Sequence, residues 1–162
     1  MHSATAPEQK ILTTEALLAF CEQARKDVKT IAFTNGCFDI LHRGHLDYLL
    51  KASSLADYLI IGLNSDASVS RLKGPERPLN KVSDRAYALA CLSFTDYIVA
   101  FEEDTPLRLI ELILPDVLIK GGDYSLETIV GAKETLAHGG KVEIISLSEG
   151  YSTTGIIKKI KR

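Results

Sequence analysis

Five short apolar runs, at 30–34, 58–63, 96–100, 116–119 and 142–147, are separated along this chain by longer stretches with the three-to-four-residue apolar spacing of amphipathic helices. Strands joined through helices cannot pair as hairpins, and right-handed crossovers between them build a parallel sheet. The expected fold is α/β, a doubly wound parallel five-stranded sheet with helices on both faces. Thr13 or Thr14 caps a first helix to about Lys26, with Leu17, Leu18 and Cys21 on its apolar side. A second helix runs from about Gly44 to Leu55, and Asn80 caps another that reaches about Ser93. Thr105, with Pro106 as first helical residue, opens one that ends before Pro115. Residues 125–138 form one more, stopped by Gly139 and Gly140. Pro75, Pro78 and Gly74 deny regular structure to the segment from Lys73 to Asn80, which is expected to be a mobile loop. The polar start, Met1 to Gln9, reads as a frayed terminus.

A length of 162 residues fits one domain with a core of its own, in which residues 1–27 form a segment and helix packed on the body at 28–162. The net charge of −2 offers no basic surplus for nucleic acid, so anionic ligands must be met by local groups. Cys21, Cys37 and Cys91 are odd in number and widely spaced, which suits a reducing cytosol. No apolar run is long enough to span a bilayer, and a cytoplasmic protein without a membrane partner is expected.

A parallel sheet binds ligands at the carboxyl ends of its strands, and the chemically informative residues of this chain fall there. Thr34 to Asp39 follow the first run, Asn64 to Asp66 the second, Lys120 to Asp123 the fourth and Ser148 to Thr154 the fifth. The segment from Thr34 through Asn35, Gly36, Cys37, Phe38 and Asp39 to His42, Gly44 and His45 reads as strand, glycine turn and helix entrance. Unpaired N–H groups and the helix dipole favour an anion at such a place. His42 and His45, three apart, share one side of the first helical turn, and two imidazoles beside an anion point to phosphoryl chemistry. The bland alternative is a pair of ordinary histidines packed near Phe38. A zinc set of Cys37, His42 and His45 is the other, although no fourth ligand stands at a familiar spacing. No G-x-G-x-x-G follows the first run, which disfavours a dinucleotide-binding oxidoreductase.

The His42-Arg43-Gly44-His45 segment resembles the HxGH signature of the nucleotidyltransferase (cytidylyltransferase-like) superfamily, whose Rossmann-like members move a nucleoside monophosphate onto a phosphorylated acceptor. Three further segments stand in the family's order: Asn64-Ser65-Asp66, Lys120-Gly121-Gly122-Asp123-Tyr124 and Glu149-Gly150-Tyr151-Ser152-Thr153-Thr154. The resemblance covers roughly residues 28–161. It is closest to the D-glycero-β-D-manno-heptose 1-phosphate adenylyltransferase domain of ADP-heptose synthesis for the lipopolysaccharide core. The runs Asn64 to Ser68, Arg71 to Gly74 and Phe101 to Pro106 carry that likeness. It implies transfer of AMP from ATP to a heptose 1-phosphate, Mg²⁺ held mainly by the triphosphate, a homodimer, and a sugar kinase as fused or separate partner. A cytidylyltransferase for glycerol 3-phosphate and a nucleotide-sensing module without turnover remain as alternatives.

By that resemblance His42, His45 and Lys73 are catalytic. The lysine lies on the proline-bounded loop, where it and Arg77 are otherwise solvated cations. Thr34, Asn35, Gly36, Phe38, Gly44, Arg85, Lys120, Gly121, Ser152, Thr153 and Thr154 are expected on the nucleotide and its phosphates. For Arg85 the alternative is a surface charge, and for Ser152 to Thr154 a helix N-cap, which is compatible with phosphate binding. Gly44 is expected to let phosphates approach the backbone, where a Cβ would crowd the turn. Asp39, Asn64, Asp66, Gly122 and Asp123 are expected on the acceptor, with Tyr124 as a stacking face, although turn-forming Asp at 39 and 66 needs no function. Relatives acting on small alcohol phosphates carry an arginine where this chain has Leu147, which favours the heptose branch.

Overall fold

The computed structural model describes residues 5–122, 125–148 and 150–160. Six parallel strands form one sheet: β1 (Ile11–Leu12), β2 (Ile31–Gly36), β3 (Tyr58–Asn64), β4 (Tyr97–Phe101), β5 (Val117–Gly121) and β6 (Lys141–Ile145). Their order is β1-β4-β3-β2-β5-β6, so the chain winds outward through β3 and β4, then crosses back to place β5 on the other side of β2. The expected α/β class and doubly wound parallel topology are observed, with six strands in place of five. The extra one is the two-residue edge β1, which pairs Ile11 with Ile98 and Leu12 with Val99 and is too short for a periodicity to reveal. Just before it, Pro7–Lys10 form a 3₁₀ turn, and Lys10 Nζ donates to the carbonyls of Leu92 and Thr95 at 3.1 and 2.8 Å. The fraying expected over Met1 to Gln9 is therefore not seen at Pro7 to Gln9, and residues 1–4 lie outside the described residues.

Alternation along each strand sends side chains to two cores, one on either face. Ile31, Phe33 and Ile60 pack with Leu17, Cys21 and Ile110. Ala32, Leu59, Ile61 and Leu63 pack with Leu49, Ala52 and Leu89. The covering helices are α1 (Thr14–Lys26), α2 (Arg43–Ser53), α3 (Asp66–Lys73), α4 (Val82–Ala90), α5 (Leu107–Ile113), α6 (Ala132–Ala137) and α7 (Thr153–Ile160). Thr13 caps α1, its hydroxyl accepting from Ala16 N at 3.2 Å.

Four helical expectations need correction. The short α3, capped by Ser65, precedes the proline-bounded loop. Lys81 rather than Asn80 is the N-cap of α4, which ends at Ala90, because the Asn80 side chain is engaged elsewhere. Pro106 is the cap of α5 and not its first residue. The helix expected over 125–138 is a 3₁₀ turn at Leu126–Thr128 followed by α6. Gly131 breaks it: its φ is +86°, and a Cβ there would lie 2.4 Å from Ile110 Cδ1.

Candidate active site

The strand order reverses between β2 and β5, and a cavity of about 540 Å³ opens at their carboxyl ends. Its floor is Asn35, Gly36, Cys37 and Phe38 from the end of β2, Asn64 from β3, and Lys120 and Gly121 from β5. His45 and Tyr48 of α2 stand on one side, Leu72, Lys73 and Arg77 on another, and Leu147, Thr153 and Thr154 close the rim. Of the residues expected from sequence, Thr34, His42, Gly44, Asp66, Arg85, Gly122 and Ser152 are outside this lining. Asp123, Tyr124 and Glu149 lie outside the described residues.

His42 occupies the N-cap of α2 without capping it through its side chain, and its ring stacks on His45 at 3.8 Å between centroids. His45 and Phe38 meet edge to face, their ring centroids 5.2 Å apart. Neither Nδ1 has a hydrogen-bond partner among the described residues, although both are buried. Burial and the neighbouring His42 push the His45 imidazole down to about 4, and burial lowers His42 as well. Two neutral rings with unmet polar atoms are thus held at a helix N-terminus, a setting that an anionic ligand would complete. Among the described residues no group of three or more His, Cys, Asp or Glu converges for a metal, so Cys37 does not join the histidines in a zinc set. A Cβ on Gly44 would lie 3.0 Å from Tyr151 Cβ and 3.2 Å from His42 Cε1, so the glycine makes room for Tyr151 against the turn.

The charges in and behind the cavity lining are engaged with one another or with backbone. Asp39, its side chain 1% exposed, is ion-paired with Arg77 and accepts from Leu79 N at 2.8 Å and Asn80 N at 3.0 Å. Burial pushes its carboxyl up, but the two N–H groups and the guanidinium outweigh that and hold it below the usual carboxylate range. This carboxylate lines the cavity and also secures the loop. The segment expected to be mobile is fastened at Arg77, Leu79 and Asn80, with Ser70 Oγ donating to the Arg77 carbonyl. Arg85 is 2% exposed and donates to the carbonyls of Asn80, Cys37 and Asn64 at 2.9, 2.6 and 2.9 Å. Its remaining nitrogen meets Asp66 at 2.8 Å. It is not the surface charge weighed from sequence, and its donors hold backbone at the strand ends.

Two cations remain on the wall. Lys73 Nζ makes no hydrogen bond or ion pair among the described residues. Lys120 donates to Asn35 Oδ1, and burial pushes its ammonium down to about 8. Thr34 lies below, bonded to Tyr48 Oη at 2.6 Å. Ser152 caps α7 by accepting from Gly155 N at 3.0 Å, while Thr153 and Thr154 reach the cavity. Asn64 donates to Ser68 Oγ at 2.9 Å and keeps a place in the lining. Cys37 also lines it, as do Tyr48, Leu72 and Asp104, which were not among the expected site residues. Tyr48 was within reach of sequence reasoning, since it follows His45 by three and shares its helical side.

A family model described as cytidylyltransferase-like matches residues 33–159. Curated relatives named "Bifunctional protein HldE" include those of Syntrophotalea carbinolica, 54% identical over 159 residues, and Azotobacter vinelandii, 52% identical over 155 residues. They are matched over 98% and 96% of this chain but 32% and 33% of their own length, so the chain spans about a third of them. The crystal structure of the lipopolysaccharide core biosynthesis protein from Thermoplasma volcanium superposes with a TM-score of 0.60 at 25% identity, covering 76% of this chain and 99% of that one. Pantoate-beta-alanine ligase from Francisella tularensis, at TM-score 0.61 and 14% identity over 93% of this chain and 76% of its own, shares the fold. Phosphate-suited groups converge where the sheet reverses, and the family match runs through all of them: this chain belongs to the cytidylyltransferase-like family and is a nucleotidyltransferase.

Proposed function

We propose that this chain transfers AMP from ATP to a heptose 1-phosphate, releasing ADP-heptose and pyrophosphate. The observation that carries the reading is the half-buried, stacked imidazole pair, its Nδ1 atoms buried without a hydrogen-bond partner among the described residues, beside a cavity walled by Lys73, Lys120, Thr153 and Thr154. An acceptor phosphate oxygen attacks the α-phosphorus in line. The new P–O bond forms as the bond to the bridging α–β oxygen breaks, and pyrophosphate departs with that electron pair. Imidazole N–H groups directed at the α-phosphate oxygens answer the charge that builds there, and the Thr153 and Thr154 hydroxyls hold the rest of the chain of phosphates. Lys73 neutralises an oxyanion from the loop side. Lys120, already lowered by burial, regains charge stabilisation when phosphate arrives.

Asp39 is committed to the loop and Asp104 is paired with Arg71 at 2.7 Å, so the donor set suits a Mg²⁺ that arrives on the triphosphate rather than one caged by protein. Bound so, it would neutralise phosphate charge, with Asp104 as the lining carboxylate nearest in kind. The heptose acceptor rests on the sequence likeness, the identity to the HldE relatives over nearly the whole chain, and the apolar Leu147 at the rim where an arginine would suit a small alcohol phosphate. What occupies the other two thirds of those relatives is no part of the proposal.

Pyrophosphate release decides it. ATP with D-glycero-β-D-manno-heptose 1-phosphate should give the highest kcat/KM among paired nucleoside triphosphates and sugar or alcohol phosphates. A higher value for CTP with glycerol 3-phosphate would overturn the acceptor and base assignment. Tight ATP binding without turnover of any pair would leave a sensing module.

A further inference from the structure

A run of flat groups is layered across the gap between α2 and the start of α7. The Arg43 guanidinium lies 6.0 Å from the Tyr151 ring centroid. Tyr151 is 6.5 Å from the His42 ring and within 21° of parallel to it. His42 in turn stacks on His45 at 17°. Tyr151 belongs to the turn that delivers Thr153 and Thr154 to the cavity, so the layering joins the hydroxyl-bearing segment to the imidazoles. Its seat is built into the backbone, because any Cβ on Gly44 would lie 3.0 Å from that of Tyr151. Among the described residues the hydrogen bonds that tie this stretch to the α2 region are two: Ser148 Oγ donates to Asp47 at 3.0 Å, and Thr153 Oγ1 donates to the Ile40 carbonyl at 3.4 Å.

We propose that Tyr151 is a positioning residue that fixes the first turn of α7 against the stacked imidazoles, so that hydroxyls and histidines face one polyphosphate at a set separation. The inference rests on the nucleotidyl-transfer reading of this site. The contact uses the face of the ring, and phenylalanine should serve in its place. Offset aromatic layers of this spacing are weak individually, but they select one orientation.

The test compares Tyr151→Phe, Tyr151→Ala and Tyr151→Leu, the last keeping apolar bulk without a ring in case the alanine protein does not fold. Kinetics should show KM for the triphosphate rising about tenfold in the alanine and leucine proteins, KM for the acceptor unchanged, and the phenylalanine protein near the parent. A general loss of folded protein would lower kcat alone and move neither KM. Without substrate, the ring signals of His42 and His45 in NMR should shift in the alanine and leucine proteins and stay in the phenylalanine protein. An unchanged triphosphate KM, equal damage from phenylalanine and alanine, or unmoved imidazole signals would overturn the proposal. If the parent protein turns over no triphosphate, the functional reading fails, while the imidazole signals still decide what Tyr151 positions.

Discussion

His42 and His45 sit in one helical turn yet meet different surroundings, His45 being the more strongly shifted of the two. Stacked rings whose Nδ1 atoms are buried and unmet make sense for groups whose partner develops charge during reaction. His42→Ala and His45→Ala should each lower kcat by about 10²-fold or more in the pyrophosphate assay. Thermal unfolding should barely move at neutral pH, because no hydrogen bond to either Nδ1 is lost among the described residues. Acid should expose the burial of His45. Its folded pKa of about 4 lies below the ordinary 6.5, so between those values the unfolded chain binds a proton that the folded chain refuses. Stability is then fully present above about 6.5 and declines as pH falls toward 4. Melting temperatures at pH 7 and pH 5 should differ for the parent, and His45→Ala should narrow that difference; an equal difference in both would remove His45 from the acid response. The histidines were legible because residue type and a spacing of three suffice to place them. Arg85 was not, since its burial depends on carbonyls at Cys37, Asn64 and Asn80 that no local pattern brings together.

The segment after α3 shows where local rules end. Pro75, Pro78 and Gly74 exclude helix and strand, as expected, but freedom does not follow from irregularity. Asp39 fastens the segment from 38 residues away in sequence, a distance over which composition carries no signal. Removing that carboxylate leaves the partly buried Arg77 and two N–H groups without a partner. Asp39→Ala should therefore destabilise the fold by about 3 kcal/mol, read by denaturant unfolding. Lys73, expected on that loop, is the last residue of α3 and makes no hydrogen bond or ion pair among the described residues. Lys73→Ala should leave the unfolding midpoint in place and weaken binding of a non-hydrolysable ATP analogue, as titration calorimetry would show. Full affinity in that variant would reduce Lys73 to a solvated cation. Helix α3 escaped the sequence reading because its eight residues are mostly polar, whereas the longer α1 and α2 advertise an apolar side.

At the scale of the molecule, the sheet and its winding were readable because five strands are long enough to show their period and the sixth is not. The edge is guarded by that sixth strand. Ile11 and Leu12 cover the open side of β4, with Lys10 reaching across to the Leu92 and Thr95 carbonyls. A protein beginning at Thr13 should expose backbone groups of Ile98 and Val99, melt lower and self-associate at concentrations where the parent is monodisperse, as light scattering would report. Unchanged scattering and melting would make β1 ornamental. Arg85 has a consequence of another kind. One guanidinium joins the turn after β2, the end of β3 and the segment before α4, and its planar fork cannot be matched by lysine. These three stretches are therefore not free to diverge singly. A descendant that reshapes one of them to admit a different acceptor must still offer a carbonyl at the same point, or change all three in concert, so new specificities should arise more readily at the rim around Leu147 than at the floor.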